Sequence, residues 1–104
     1  MDTQLKRGFL DVCVLASIKR QDSYGYQIVK DVPESLHLTE STLYPLLKRL
    51  EAAGLLVVYS VEHNGRLRKY YRITEAGVAY LDVFIAEWGD ITSIYDYVKR
   101  GATL

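Results

Sequence analysis

Four basic side chains lie close together in the segment HNGRLRKYYRIT, residues 63–74, which contains no acidic residue. They are Arg66, Arg68, Lys69 and Arg72, with Tyr70 and Tyr71 between them. Because unpartnered cations repel one another, a phosphate backbone is a natural counter-charge for this segment. If about four to six phosphates per protomer are neutralised, affinity falls with salt at a log–log slope of about −0.9 per contact. The alternative is a solvated basic strand that discourages edge-to-edge aggregation.

A second group of polar side chains shares one face of a predicted helix, ESTLYPLLKRLEAA, for which Thr39 is the N-cap and Gly54 the stop. Leu43, Leu47 and Leu50 form its apolar stripe. The opposite face carries Ser41, Tyr44, Pro45 and Lys48. Hydroxyls near a helix N-terminus with a lysine further along the same face suit a DNA major groove. An ordinary solvated face is the alternative, although the bend expected at Pro45 has no role in packing.

Residues that could support catalysis or bind a metal are sparse. His37 and His63 are far apart in the chain, and neither has a cysteine or acidic partner at metal-ligand spacing. The single cysteine, Cys13, lies in an apolar run and is expected to be a small buried side chain. We find no phosphate-binding glycine loop, nucleophile elbow or carboxylate pair. The sequence therefore predicts no enzyme, no metal and no cofactor.

Two further helices are predicted before the basic segment. The first runs from Gln4 to about Lys19 and is expected to be largely buried. Its apolar stripe is Leu5, Phe9, Cys13 and Ala16. The second, within YGYQIVKDV, is short and stops at Pro33, with Asp22 and Ser23 as candidate N-caps. Tyr26, Val29 and Val32 share its inward face.

A β-hairpin is predicted after the third helix. Its strands are residues 55–62 and 67–73, and Asn64-Gly65 supplies the positive φ angles that a tight turn prefers. Three helices followed by a hairpin describe a winged helix-turn-helix. The predicted fold class is therefore mainly α with a small β-hairpin, a winged helix-turn-helix plus a long C-terminal helix.

The C-terminal helix carries an apolar heptad seam. It is predicted to begin after the N-cap Thr74 and to reach about Arg100. The seam residues are Leu81, Phe84, Trp88, Ile91, Tyr95 and Val98, widened by Ile85 and Ile94. A small domain has little core to cover so long a helix, so a second copy is the expected cover, and folding back onto its own domain is the alternative. Four acids on this helix, Asp82, Glu87, Asp90 and Asp96, keep it away from DNA.

Trp88 and Gly89 interrupt this seam. Glycine inside a helix is unfavourable by about 1 kcal/mol relative to alanine, so Gly89 suggests close approach of a partner helix or ligand. Aromatic side chains meeting across a dimer axis, with Trp88 and Phe84 as candidates, would form a slot for a small planar aromatic ligand. Simple interface packing is the alternative.

The length and composition of the chain limit which folds and locations are possible. A chain of 104 residues with 49% hydrophobic residues makes one core. We expect a winged helix-turn-helix unit over 1–74 and a dimerisation helix over 75–104 within the same compact unit. Thirteen basic and thirteen acidic residues cancel, but the charge is uneven, because the basic block at 63–74 is followed by an acidic segment. No apolar run is long enough to span a bilayer and none resembles a signal peptide, so a cytoplasmic location without membrane contact is expected.

The chain resembles the PadR family of bacterial transcriptional regulators, in its short form with one C-terminal helix. The matching stretches are LKRGFLDVCVLASI, YGYQIVK, TLYPLLKRLEAAGLL and RLRKYYRITEAG, which with the last helix cover nearly the whole chain. The resemblance implies a homodimer that represses promoters through inverted-repeat operators and is often released by a small aromatic effector or drug.

The resemblance also implies roles for individual residues. It implies that DNA is contacted by Thr42, Tyr44 and Lys48, by Tyr24 or Tyr26, and by the basic residues of the predicted hairpin. Ser41 stands where the family commonly has glycine, and Trp88 matches the spacing of a drug-stacking tryptophan in multidrug-sensing members.

The leading hypothesis is therefore a dimeric repressor of DNA operators. A small-molecule sensor and a winged-helix protein-interaction module that never binds DNA are the alternatives.

Overall fold

The structure, a computed structural model, describes residues 1–103. The elements in chain order are α1 (Thr3–Lys19), α2 (Gly25–Asp31), a 3₁₀ turn (Glu34–Leu36), α3 (Glu40–Ala52), β1 (Leu56–His63), β2 (Arg66–Ile73) and α4 (Glu75–Ala102). The predicted order of three helices, a hairpin and a long final helix is confirmed. Within the described residues, no helix is long and apolar enough to cross a membrane.

Helix α1 begins at the N-cap Asp2, whose carboxylate accepts from the backbone N–H groups of Gln4 and Leu5. The predicted buried stripe is wrong, since Leu5 and Ala16 are exposed and Phe9 and Cys13 are only half-buried. The core face carries Leu10, Val14, Leu15 and Ile18. Residues 9–18 are nearly all apolar, so their spacing alone does not select one face.

Helix α2 differs from its prediction in two respects. Its N-cap is Tyr24, without a side-chain cap bond, so Asp22 and Ser23 are not its caps. Ile28 fills the core position instead of Tyr26, which is exposed. The helix ends at Asp31, ahead of Pro33, as predicted.

Helix α3 is held by its N-cap and by one buried face. Thr39 Oγ1 accepts from the Thr42 backbone N–H at 3.4 Å, which confirms Thr39 as the N-cap. The three predicted core leucines are buried, together with Leu46, and Gly54 follows the last turn with φ +77°. The helix runs continuously through Pro45.

A bidentate ion pair joins α3 to α1. The Arg49 guanidinium donates to both carboxylate oxygens of Asp11, at 2.9 and 2.7 Å, and Asp11 lies almost fully buried. These hydrogen bonds raise the pKa of Arg49. Bidentate hydrogen bonds between charged groups are stronger than those between neutral groups, so this pair stabilises the packing of α3 on α1.

The hairpin formed by β1 and β2, called the wing below, turns at Asn64-Gly65, with φ of 52° and 78° as a type I′ turn requires. This two-residue turn pairs His63 with Arg66 and continues regularly to Leu56 with Ile73. The base of the wing is attached to the α1–α2 loop, because Ser23 and Tyr71 exchange two backbone hydrogen bonds of 3.2 and 2.8 Å.

Helix α4 begins where the wing ends. Thr74 accepts from the Gly77 backbone N–H at 3.1 Å and donates to the Gly54 carbonyl at 2.7 Å, which ties the helix start to the end of α3. Its 28 residues span about 42 Å at 1.5 Å per residue. Only its first half packs on the domain, and its second half is exposed, so the chain measures 62 × 27 × 21 Å.

Candidate nucleic-acid interface

One groove separates the wing from the N-terminal ends of α2 and α3, and its volume is about 740 Å³. It is lined by Tyr24, Gly25, Tyr26, Glu40, Tyr44, His63, Asn64, Arg66, Leu67, Arg68, Lys69 and Tyr71. Most of the residues predicted to contact DNA therefore meet on one surface, although they come from three separate elements.

The first turn of α3 presents two hydroxyl groups to solvent. The Oγ atoms of Ser41 and Thr42 lie 3.1 and 3.2 Å from Oγ1 of the N-cap Thr39. Both side chains are exposed, and so is Lys48 two turns further along the helix. In this state each of the two hydroxyls is hydrogen-bonded to Thr39 Oγ1, and each can rotate to meet an incoming base or phosphate.

Tyr44 lies against the N-terminus of α2. A Cβ atom built on Gly25 would stand 2.6 Å from the Tyr44 hydroxyl oxygen and 3.1 Å from Cζ of the ring. The absent side chain of Gly25 therefore makes room for the tyrosine, which remains 45% exposed. Tyr26 is also exposed at this edge, with Lys30 Nζ 5.2 Å from its ring centroid.

The tip of the wing carries exposed side chains. Arg66 and Lys69 are exposed, and neither has an ion-pair partner within residues 1–103. Leu67 lies between Arg66 and Arg68 and is 77% exposed. The tip therefore presents positively charged side chains together with one exposed apolar side chain.

Arg72 is the exception among the predicted wing cations. Its Nη2 lies 2.9 Å from Asp22 Oδ2, and its Nε donates to the same oxygen at 3.0 Å. The Tyr59 hydroxyl also donates to that oxygen. These bonds, that to Arg72 first, lower the pKa of the Asp22 carboxyl. The expectation that all four cations lack a partner is therefore wrong for Arg72, because its partner comes from the α1–α2 loop.

Aromatic rings connect Arg72 to Arg68 across one face of the wing. Arg72 Cζ lies 5.1 Å from the Tyr59 ring centroid, and Arg68 Cζ lies 4.2 Å from that of Tyr24. Between them, the Tyr59 and Tyr70 rings stack with centroids 5.8 Å apart, and Tyr70 lies 5.5 Å from Tyr24. We call Arg68, Tyr24, Tyr70, Tyr59 and Arg72 the wing ladder. It holds Arg68 above Tyr24 at the edge of the groove.

The predicted dimer seam divides into three parts along α4. Leu81 is 5% exposed within a single chain, so it belongs to the protein's own core and we remove it from the predicted seam. Phe84 and Trp88 are half-buried. Ile91, Tyr95 and Val98 are exposed.

An aromatic cluster links α4 to α1 within one chain. The Phe9 ring centroid lies 5.0 Å from that of Trp88 and 6.2 Å from that of Phe84, with Phe84 and Trp88 5.7 Å apart. A pocket of about 280 Å³ opens beside it and is also lined by Leu5 and Tyr80. The sequence placed the slot across a dimer axis and missed the part played by Phe9.

Cys13 and the histidines occupy separate places. Burial raises the pKa of the half-buried Cys13 thiol. His37 adopts a left-handed conformation after the 3₁₀ turn, and His63 lies beside the wing turn. Across residues 1–103, no three histidine, cysteine or acidic side chains are grouped to hold a metal ion.

Three residues of this surface were missed by the sequence reasoning: Asp22, Gly25 and Tyr59. A signal existed for Tyr59, because the Asn64-Gly65 turn fixes the register that places it opposite Tyr70. No comparable signal existed for Asp22, whose partner Arg72 lies in a different part of the chain.

The fold and this surface define a winged helix-turn-helix protein, and comparisons with known proteins identify its family. The family model described as "Transcriptional regulator PadR-like family" matches residues 14–83. A PadR family transcription regulator from Clostridium difficile R20291 superposes with a TM-score of 0.79 at 32% identity, covering 86% of this chain and 97% of that one. The chain therefore belongs to the PadR-like family of transcriptional regulators, which confirms the predictions of a transcriptional regulator and of no enzyme.

Two of the other similar proteins differ in how much of their length they share with this chain. An uncharacterized protein of Lysinibacillus sphaericus is 37% identical over 100 residues, covering 91% of this chain and 92% of its own length. Bacillus subtilis PadR in complex with operator DNA shares the fold, with a TM-score of 0.67 at 23% identity, over 73% of this chain and 46% of that one.

Proposed function

We propose that this regulator is a repressor that binds an inverted-repeat DNA operator as a homodimer. The observation that carries the proposal is that the exposed N-terminal part of α3 and the basic tip of the wing flank one groove. We infer that α3 enters the major groove. Its DNA-contacting residues are Ser41, Thr42, Tyr44 and Lys48. The structure of Bacillus subtilis PadR with operator DNA supports this use of the shared fold.

The wing binds phosphate in this proposal. Arg66, Arg68 and Lys69 carry its available positive charge, and Tyr24 and Tyr26 add hydroxyl groups at the edge of the groove. Arg72 is not counted among the phosphate-binding residues, because Asp22 already neutralises its charge. With Lys48, these cations make about four phosphate contacts per protomer, so we expect a log–log salt slope of about −3.6 per protomer.

Lys48→Ala tests the proposal. The variant should bind a duplex from the promoter region of the protein's own gene at least about tenfold more weakly, because a charged side chain that faces DNA is removed. Fluorescence anisotropy at several salt concentrations measures both the affinity and the slope.

Lys99→Ala is the matched control, since it removes an exposed lysine near the end of α4, and its affinity should stay close to wild type. Equal binding by the two variants would sink the proposal. An absence of salt-dependent binding to any duplex would instead favour a protein-interaction module.

The same proposal assigns dimerisation to the exposed part of α4. Ile91, Tyr95 and Val98 share one apolar face that continues from Phe84 and Trp88. The domain covers only the start of this helix, and exposed apolar surface of this kind marks an interaction site. We therefore propose a winged helix-turn-helix unit over 1–74 joined to a dimerisation helix, α4, over Glu75–Ala102. The predicted bound at residue 104 lies outside the described residues.

Tyr95→Asp should convert the dimer to a monomer, because it places a charge in the apolar seam. Sedimentation equilibrium measures the mass. Tyr97→Asp is the control, because Tyr97 is exposed on another side of the same helix and its variant should stay dimeric. A Tyr95→Asp protein with the mass of a dimer would contradict the assignment.

A ligand-sensing role is favoured by the pocket beside Trp88. Its lining is mainly apolar, and the aromatic rings of Phe9, Phe84 and Trp88 suit a small planar aromatic molecule. In this proposal the ligand shifts the dimer toward one of two geometries with different affinity for DNA. Because Trp88 is the single tryptophan, its fluorescence during titration with planar aromatics reports binding. A broad panel without response would count against the role.

A further inference from the structure

One carboxylate oxygen of Asp22 accepts two hydrogen bonds and makes a further ion-pair contact at the base of the wing. Oδ2 accepts from Arg72 Nε at 3.0 Å and from the Tyr59 hydroxyl, and Arg72 Nη2 lies 2.9 Å away. Tyr59 belongs to β1 and Arg72 to β2, so one side chain outside the hairpin holds both of its strands.

This attachment lies at one end of the wing ladder. From Asp22 the ladder continues through Arg72, Tyr59, Tyr70 and Tyr24 to Arg68. The next residue after Asp22, Ser23, pairs with Tyr71 through the backbone. The side-chain and backbone contacts together fix the wing against the α1–α2 loop, and therefore fix the distance between the wing tip and the N-terminus of α3.

We propose that Asp22 is a positioning residue for DNA binding, which sets the wing so that Arg66, Arg68 and Lys69 reach phosphate while α3 occupies the major groove. This inference rests on the proposed function. Asp22 itself does not touch DNA, because its negative charge would be repelled by phosphate. Its contribution to binding comes entirely through the wing.

The proposal predicts a change in DNA affinity that is opposite to the change expected from charge alone. Removing an acidic charge beside a DNA-binding surface ordinarily strengthens binding. If Asp22 positions the wing, Asp22→Asn and Asp22→Ala should weaken DNA binding. The effect of Asp22→Ala should be the larger one, because alanine also lacks the hydrogen-bond acceptors. We expect the affinity to fall about five- to tenfold and the salt slope to become less steep by about 0.9 for each phosphate that the wing no longer reaches.

Glu62→Gln is the matched control. Glu62 lies in β1 of the wing, is exposed, and has no ion-pair partner among residues 1–103. Its removal changes the charge by the same amount without disturbing the wing, so this variant should bind more tightly than wild type.

The experiment compares wild type, Asp22→Asn, Asp22→Ala and Glu62→Gln by anisotropy on the promoter duplex and on a scrambled duplex, each over a series of salt concentrations. Thermal unfolding shows that each variant is folded at the temperature of measurement. Weaker binding and a shallower slope for the Asp22 variants, with tighter binding for Glu62→Gln, support the inference. Tighter binding by the Asp22 variants overturns it while leaving the proposed function intact. Wild-type protein without salt-dependent binding overturns the proposed function instead.

Discussion

At the scale of single residues, we expect the close contact between Gly25 and Tyr44 to matter more for DNA binding than for stability. The Tyr44 ring occupies the space in which any side chain at position 25 would begin. Glycine is therefore needed here for the close approach of a neighbouring side chain, while the backbone itself is ordinary helix.

Gly25→Ala should displace the Tyr44 ring and weaken binding to the promoter duplex by about five- to tenfold, as expected when a side chain no longer reaches its base. The unfolding temperature should change little, because the tyrosine is partly exposed and can move into solvent. Gly8→Ala is the control, since a Cβ at that position meets no atom within 4 Å. Unchanged DNA affinity for Gly25→Ala would show that the position of Tyr44 does not matter.

Individual contacts between distant residues were the least predictable part of the molecule. The Asp22–Arg72 and Asp11–Arg49 pairs each join residues that are far apart in the chain, and no local pattern indicates which acid meets which base. The outward residues of α3 were predictable, because helical periodicity relative to three core leucines determines their face.

At the scale of elements, local chemistry determined the boundaries. Thr39 and Thr74 are N-caps, and Asn64-Gly65 forms a two-residue turn, as their residue types predict. Sequence periodicity was less reliable where a helix is apolar on most sides, as in α1. There the tertiary neighbours decide which residues are buried, and Phe9 contacts Phe84 and Trp88 of α4 as well as the edge of the main core.

Gly77 explains how α4 meets the wing so closely. A Cβ atom at this position would clash with the Leu55 carbonyl oxygen and would lie 2.6 Å from Ile73 Cγ1. Gly77→Ala should lower the free energy of unfolding by about 1–3 kcal/mol, because the helix must shift away from backbone that cannot yield. Urea denaturation followed by circular dichroism measures the change.

Gly89→Ala, on the same helix, should raise the free energy of unfolding instead of lowering it. No atom lies within 4 Å of its Cβ position in the single chain, so alanine should stabilise the helix by up to about 1 kcal/mol. Destabilisation by Gly89→Ala together with weaker dimerisation would instead place a partner helix against this position.

At the scale of the whole molecule, the Asp11–Arg49 pair connects the proposed DNA-binding helix to the rest of the protein. Asp11→Ala should lower the free energy of unfolding by about 1–3 kcal/mol, because Arg49 is left without its partner. The Arg49 side chain is 37% exposed, so water replaces part of the missing hydrogen bonding and the effect stays below that of a fully buried pair.

Removing both charges should recover much of this stability. Asp11→Leu combined with Arg49→Met replaces the ion pair with apolar groups, which is often close to neutral. Thermal unfolding at one protein concentration compares the variants, since the proposed dimerisation would make the unfolding temperature depend on concentration. A single Asp11→Ala variant as stable as wild type would contradict this account of the pair.

The balance of thirteen basic and thirteen acidic residues conceals a separation of charge in space. The wing tip carries the available cations, Asp22 neutralises the cation at the wing base, and α4 carries acids away from this surface. The distribution of charge along the chain therefore supports the proposed nucleic-acid partner, whereas the total charge gives no sign of it.

The division of α3 into a buried leucine face and an exposed polar face has a consequence for evolution. After gene duplication, Ser41 and Lys48 can vary to suit a new operator while the leucines keep the fold unchanged. Tyr44 is not free to vary in the same way, because its ring rests on Gly25. Among descendants of this gene, positions 25 and 44 should therefore change together.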